Sequence, residues 1–187
     1  MREVDTIYLD MDGCIVDFRK GCEEIGAIEG YKVDWEKVHA NGIDFWANLS
    51  WTPEGERFYK WLQKYCDEQG IDLCILSQVN YDEGVQGKYE WLMNNTRIPH
   101  KNIYIVKTGK SKSKYASKNS LLIDDFGKNI ETFVLAGGTG IKFDSAGQCR
   151  QELLKILKLS LLHFGLEKDF ALWVLDLSTT SLILQTT

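Results

Sequence analysis

Short apolar runs separated by polar residues recur along the chain. Thr6-Ile7-Tyr8-Leu9, Ile71-Asp72-Leu73-Cys74-Ile75-Leu76, Ile103-Tyr104-Ile105-Val106 and Leu121-Leu122-Ile123 have the length and content of short buried strands. A turn at Gly137-Gly138-Thr139-Gly140 precedes Ile141-Lys142-Phe143, a last short strand. Between these runs the apolar spacing changes to three and four. Phe58, Trp61, Leu62 and Tyr65 give one helix an apolar face, which Gly70 ends. A second helix is predicted over residues 81–93, with Val85, Tyr89 and Leu92 turned to a sheet, and others around residues 129–133 and 148–162. Leu153, Leu154, Leu157, Leu161 and Leu162 are available for packing on the last of these. Alternation of strand and helix predicts an α/β fold with a mostly parallel sheet covered on both faces.

Residues 17–60 have a different texture. Aromatic residues, among them Phe18, Trp35, Phe45, Trp46, Trp51, Phe58 and Tyr59, sit among polar residues and turn formers, as in a small helical cap inserted after the first strand. Ser50 or Thr52 is positioned to cap a helix with Pro53 in its first turn. Beyond the helix near the C-terminus, Phe170-Ala171-Leu172-Trp173-Val174-Leu175 is apolar without a decisive period, and residues 178–187 suit a frayed end or an edge element. These shifts divide the chain into a core (1–16 and 66–150), a cap (17–65) and a C-terminal helix and tail (151–187) whose packing, including any role in a homodimer, stays open.

Composition narrows the function classes. With 44% hydrophobic and 26% charged residues the chain can build a core, and a formal charge of -5 disfavours a broad surface for a nucleic-acid polymer. Cys14, Cys22, Cys66, Cys74 and Cys149 lack paired spacing, which points to reduced thiols in a cytoplasmic protein rather than zinc or disulfides. The most membrane-like stretch, residues 153–162, is too short to span a bilayer and carries Lys155 and Lys158. His39, His100 and His163 are too dispersed for a zinc site.

Chemistry concentrates at strand ends. Asp10 and Asp12 follow the first strand, Ser77 the second, and Asp124 and Asp125 the fourth. A parallel sheet gathers these ends along one edge, where open α/β folds bind ligands. A single aspartate after a strand is ordinarily a turn or cap residue; two acidic pairs with a hydroxyl between them suit a hard divalent cation such as Mg2+ and a substrate phosphate. No GxxxxGK[ST] loop is present to cradle a triphosphate.

Asp10-Met11-Asp12-Gly13 followed by Asp17-Phe18, Leu76-Ser77, Lys114, and Leu121-Leu122-Ile123-Asp124-Asp125 resemble the motifs of the haloacid dehalogenase-like (HAD) superfamily, and within it the 5'(3')-deoxyribonucleotidases. The resemblance extends from about Thr6 to Phe143. It implies a Rossmannoid three-layer core with a cap after the first strand, Asp10 as the nucleophile forming an aspartyl-phosphate, and Asp12 as the acid and base. It also implies that Ser77 and Lys114 bind the phosphoryl group. Mg2+ would be held by Asp10, the backbone carbonyl of Asp12, Asp124 and Asp125. Lys107, Lys110, Lys112, Lys114 and Lys118 form one basic stretch, and charge alone would equally allow Lys110 or Lys112.

The same resemblance points to nucleoside monophosphates as substrates, and Phe18 belongs to its first motif; by their aromatic faces Phe18, Trp46 and Trp51 suit the walls for a base or sugar, and their other reading is as the core of the cap itself. Two other functions fit the sequence. One is a phosphatase of small metabolites or sugar phosphates from the same superfamily. The other is a metal-bound scaffold or partner-binding module without catalysis.

Overall fold

The computed structural model describes residues 4–107 and 109–163, without the side chains of 109–111 and 158–163. The expectations for Phe170 to Leu175 and for residues 178–187 therefore lie outside the described residues, as does the packing of the Leu161 and Leu162 side chains.

Strand β1 (Thr6–Leu9) leads directly into a small lobe: α1 (Phe18–Glu24), the antiparallel pair β2 (Ile28–Glu29) and β3 (Lys32–Val33), α2 (Trp35–Ala40) and α3 (Gly42–Ala47). The chain then returns through α4 (Gly55–Gln69), β4 (Asp72–Gln78), α5 (Asp82–Asn95) and β5 (Ile103–Val106). A 3-10 segment, Gly109–Tyr115, connects to β6 (Ser120–Asp124), followed by α6 (Gly127–Leu135), β7 (Thr139–Lys142) and α7 (Ala146–His163).

The main sheet has the order β5-β4-β1-β6-β7, and every pair in it is parallel. Side-chain alternation, with a period of two, splits its strands between two cores. Ile7, Leu9, Leu73, Ile75, Leu121 and Ile123 join Leu62 of α4, Leu92 of α5 and Leu153 of α7 on one face. Tyr8, Leu76 and Leu122 point the other way, against Phe133 of α6 and Tyr115. The result is the α/β, mostly parallel three-layer core expected, with the helical lobe inserted after β1. All five cysteines are buried and unbridged.

Two local readings differ. The helix placed at the end of the 17–65 cap, α4, packs on the sheet side: Phe58 meets Phe143 edge to face and Arg150 of α7 lies over the Trp61 ring. The small lobe is thus built from α1 to α3. Thr52 does not cap α4, which begins at Gly55 behind Glu54; its hydroxyl instead donates to the Cys14 carbonyl at 3.1 Å and ties the returning chain to the loop after β1.

Candidate active site

The chain runs outward from β1 through β4 to β5, then crosses back to β6 on the other side of β1. That reversal opens a crevice at the C-terminal ends of the central strands. Leu9 is in register with both Ile75 and Ile123, so Asp10, Ser77 and Asp124 arrive at the same edge. Beyond β1 the loop turns at Gly13, whose φ of +75° suits glycine. A Cβ at Gly13 would lie 2.1 Å from Asp125 Oδ2, so this residue also lets the two acidic segments approach.

Asp10, Asp124 and Asp125 each offer a carboxylate oxygen within 4.8 Å of the others, a cluster compatible with a divalent metal such as Mg2+. The side chain of Asp12 turns away from this group toward α5. Asp124 is fully buried and firmly held: one oxygen accepts from the Phe126 backbone N–H at 2.9 Å, and Asn129 Nδ2 approaches both oxygens at 3.2 and 3.0 Å. Lost solvation and then the repulsion of Asp10 and Asp124 push the Asp125 carboxyl up to about 7. Burial, with Asp10 beside it, likewise raises Asp124.

Two buried lysines answer part of this negative charge. Lys112 is 1% exposed; its ammonium lies 2.9 Å from Asp10 Oδ1 and donates to Asp124 Oδ2 at 2.6 Å. Burial alone would depress its pKa, but Asp10 and Asp124 outweigh that effect and raise it. Lys114, the lysine named by resemblance, is exposed. The difference follows from 3-10 geometry, in which residues three apart share a face. Tyr115 packs inward on Tyr8 and Tyr104, so Lys112 turns inward with it while Lys114 does not.

Lys88 of α5 went unrecognised in the sequence. It too is 1% exposed, and its ammonium donates to Asp12 Oδ2 at 2.6 Å, Ser77 Oγ at 2.8 Å and the Gln78 carbonyl at 3.1 Å. Burial raises the pKa of Asp12, and Lys88 opposes that rise. One signal was available: Gly84, Lys88, Trp91 and Leu92 fall on one helical face, and Lys88 is the charged residue among them.

On the lobe side of Asp12 lies a cavity of about 350 Å³, lined by Asp12, Phe18, Trp35, Trp46, Gln78, Val79, Asn80 and Tyr81. Asp17 caps α1 by accepting from the Lys20 N–H at 3.0 Å, which sets Phe18 at the first turn. Phe18 stacks on Trp46 and on Trp35, with centroids 5.4 and 5.8 Å apart. Trp51 is not in this lining; it packs against Trp91 at 4.6 Å and Tyr59 at 5.9 Å. Trp35 and Tyr81 take its place beside the cavity, their centroids 6.3 Å apart.

The cavity can therefore hold an apolar ring beside a carboxylate cluster suited to a phosphate and a cation. Among the described residues no helix is long and apolar enough to cross a membrane.

No family model matches the chain, and no curated protein matches it. Solved structures do. An uncharacterised protein from Corynebacterium glutamicum superposes with a TM-score of 0.51 at 15% identity, over 83% of this chain and 96% of that one. YfnB from Bacillus subtilis, named as a HAD-hydrolase and bound to magnesium in its crystal, superposes with a TM-score of 0.50 at 14% identity, over 83% of this chain and 99% of that one. At these identities the likeness is one of fold, and the fold is that of HAD-like hydrolases.

Proposed function

With the HAD-like fold as premise, we propose that this chain is a magnesium-dependent phosphomonoester hydrolase acting on nucleoside 5'-monophosphates through an aspartyl-phosphate. The observation that carries this reading is the position of Asp12, which lines the aromatic cavity and is close enough to the Asp10 and Asp125 carboxylates for them to repel one another. A phosphate at the cluster leaves its alcohol portion beside Asp12, and the ring of a nucleoside suits the walls beyond.

In the first step an Asp10 carboxylate oxygen bonds to phosphorus as the ester P–O bond breaks, and the leaving alkoxide takes a proton from Asp12. In the second, Asp12 takes a proton from water while that oxygen attacks phosphorus. The bond to Asp10 breaks, its carboxylate is restored and inorganic phosphate leaves. Lys112 and the Ser77 hydroxyl stabilise charge on the phosphoryl oxygens. The site holds two more carboxylates than ammonium groups; Asp10, Asp124 and Asp125 would hold Mg2+, which would supply compensating charge there and to the phosphoryl oxygens.

Phosphate release from a panel of nucleotides, sugar phosphates and aryl phosphates, with and without Mg2+, tests this reading. Turnover that needs Mg2+ and favours nucleoside monophosphates is expected. Preference for a sugar phosphate would transfer the site to the small-metabolite reading, and folded protein inactive on every phosphomonoester would refute hydrolysis.

A further inference from the structure

Lys88 does something that neither the carboxylate cluster nor the aromatic cavity accounts for. A lysine is costly to bury unless its charge is paired and all its N–H groups are bonded. Lys88 meets that condition completely: an ammonium has three N–H groups, and Asp12 Oδ2, Ser77 Oγ and the Gln78 carbonyl take all three. No donor is left for a phosphoryl oxygen. Trp46 closes the site further, with the ammonium 5.3 Å from its ring centroid. Trp46 can come this close because α5 carries glycine where it meets α3: a Cβ at Gly87 would lie 2.5 Å from the Trp46 Cβ and 2.6 Å from the Ile43 carbonyl.

The two oxygens of Asp12 are thereby made unequal. Oδ2 is held by Lys88, while Oδ1 is buried without a hydrogen-bond partner. We propose that Lys88 is a positioning residue for Asp12: by clamping Oδ2 it fixes the carboxyl group that exchanges a proton with the leaving group and with water. The Gln78 carbonyl anchors the clamp to β4, so the geometry of Asp12 is tied to the strand that carries Ser77.

This inference rests on the phosphomonoesterase reading, and the experiment separates the two. Single-turnover release of the leaving group is measured for p-nitrophenyl phosphate, whose phenolate departs with little need of a proton, and for an alkyl phosphomonoester that the wild type hydrolyses. Lys88→Met should slow alkyl release by ~100-fold, the scale of general-acid catalysis, and aryl release by less than about fivefold. A structural role would slow both substrates alike. Equal losses, or an unchanged alkyl rate, would overturn the inference while leaving the hydrolase reading in place; a folded wild type that hydrolyses no phosphomonoester would overturn both.

Lys88→Met leaves Asp12 without its counter-charge, so a second comparison guards against misfolding. In the Asp12→Asn background the partner is already neutral, and adding Lys88→Met should change alkyl release by less than about threefold, because Lys88 acts through Asp12. A further loss of tenfold or more in that background would show an independent role and reject the clamp.

Discussion

The strand edge and the aromatic lobe meet at Asp12, but they are held in place by different means. At the edge, side chains leave strands whose register is locked by backbone hydrogen bonds: Leu9 pairs with Ile75 and Ile123, and Asp10, Ser77, Asp124 and Asp125 follow within two residues. In the lobe, rings are held chiefly by other rings, Phe18 between Trp35 and Trp46, with Tyr81 across the opening. In-line attack at phosphorus needs groups fixed to a fraction of an ångström, which a sheet provides. Recognition of a flat ring needs apolar area and tolerates a small shift, which stacked side chains provide. Damage at the edge should therefore act on the rate of reaction, and damage in the lobe on substrate preference.

The largest expected effect tests the edge. Asp10→Asn keeps the shape of the side chain and removes the nucleophile of the proposed mechanism, so kcat should fall by more than about 10,000-fold, the scale on which covalent catalysts lose activity with their attacking group. Its melting temperature should stay near or above that of the wild type, because one of the mutually repelling carboxylates has gone. Rapid-quench detection of phosphoprotein should likewise find none in this variant. Wild-type turnover would break the comparison at its strongest point.

Next in size is a contrast between two lysines two residues apart. Lys112→Met should lower kcat by about 100- to 1,000-fold, the scale for losing a group that stabilises transition-state charge. Lys114→Met should leave it within about twofold, since an exposed lysine contributes little. Steady-state assays of the two variants decide which lysine serves the edge.

That contrast shows what could be read from the chain in advance. Asp10, Asp12, Ser77, Asp124 and Asp125 were legible because each follows or ends a compact apolar run, and parallel strands bring such ends together whatever their separation in sequence. Lys112 was not singled out, because the inward face of Gly109–Tyr115 depends on a 3-10 turn and on the packing of Tyr115, neither visible in a run of alternating lysines. Lys88 was hidden by a sound rule, that lysines on helices are usually solvated. Its exception is set by Asp12, 76 positions away. The aromatic residues marked out the lobe as a class, yet which rings would face the cavity depended on how α1 to α3 fold against α5. Aromatic content continuous with that of its neighbours places most of α4 with the lobe in the sequence, whereas its apolar face packs on the sheet side.

The smallest effects test the lobe, and they should separate binding from folding. Trp35 is 46% exposed and borders the cavity, so Trp35→Ala should cost little stability. It should raise KM for a nucleoside monophosphate by roughly tenfold, the equivalent of one stacking contact. KM for an aryl phosphate, whose single ring reaches less far from Asp12, should change less. Trp51 packs instead against Trp91 and Tyr59, outside the cavity. Trp51→Ala should therefore destabilise the fold by about 2–3 kcal/mol, toward the low end for loss of a large aromatic because the residue is only half-buried. Its KM at a temperature where it is folded should match the wild type. Denaturant unfolding alongside substrate titration of both variants reads the two effects independently. If Trp51→Ala shifted KM and Trp35→Ala did not, the nucleoside ring would have to lie on the Trp51 side of the lobe, and the cavity beside Asp12 would lose its role in recognition.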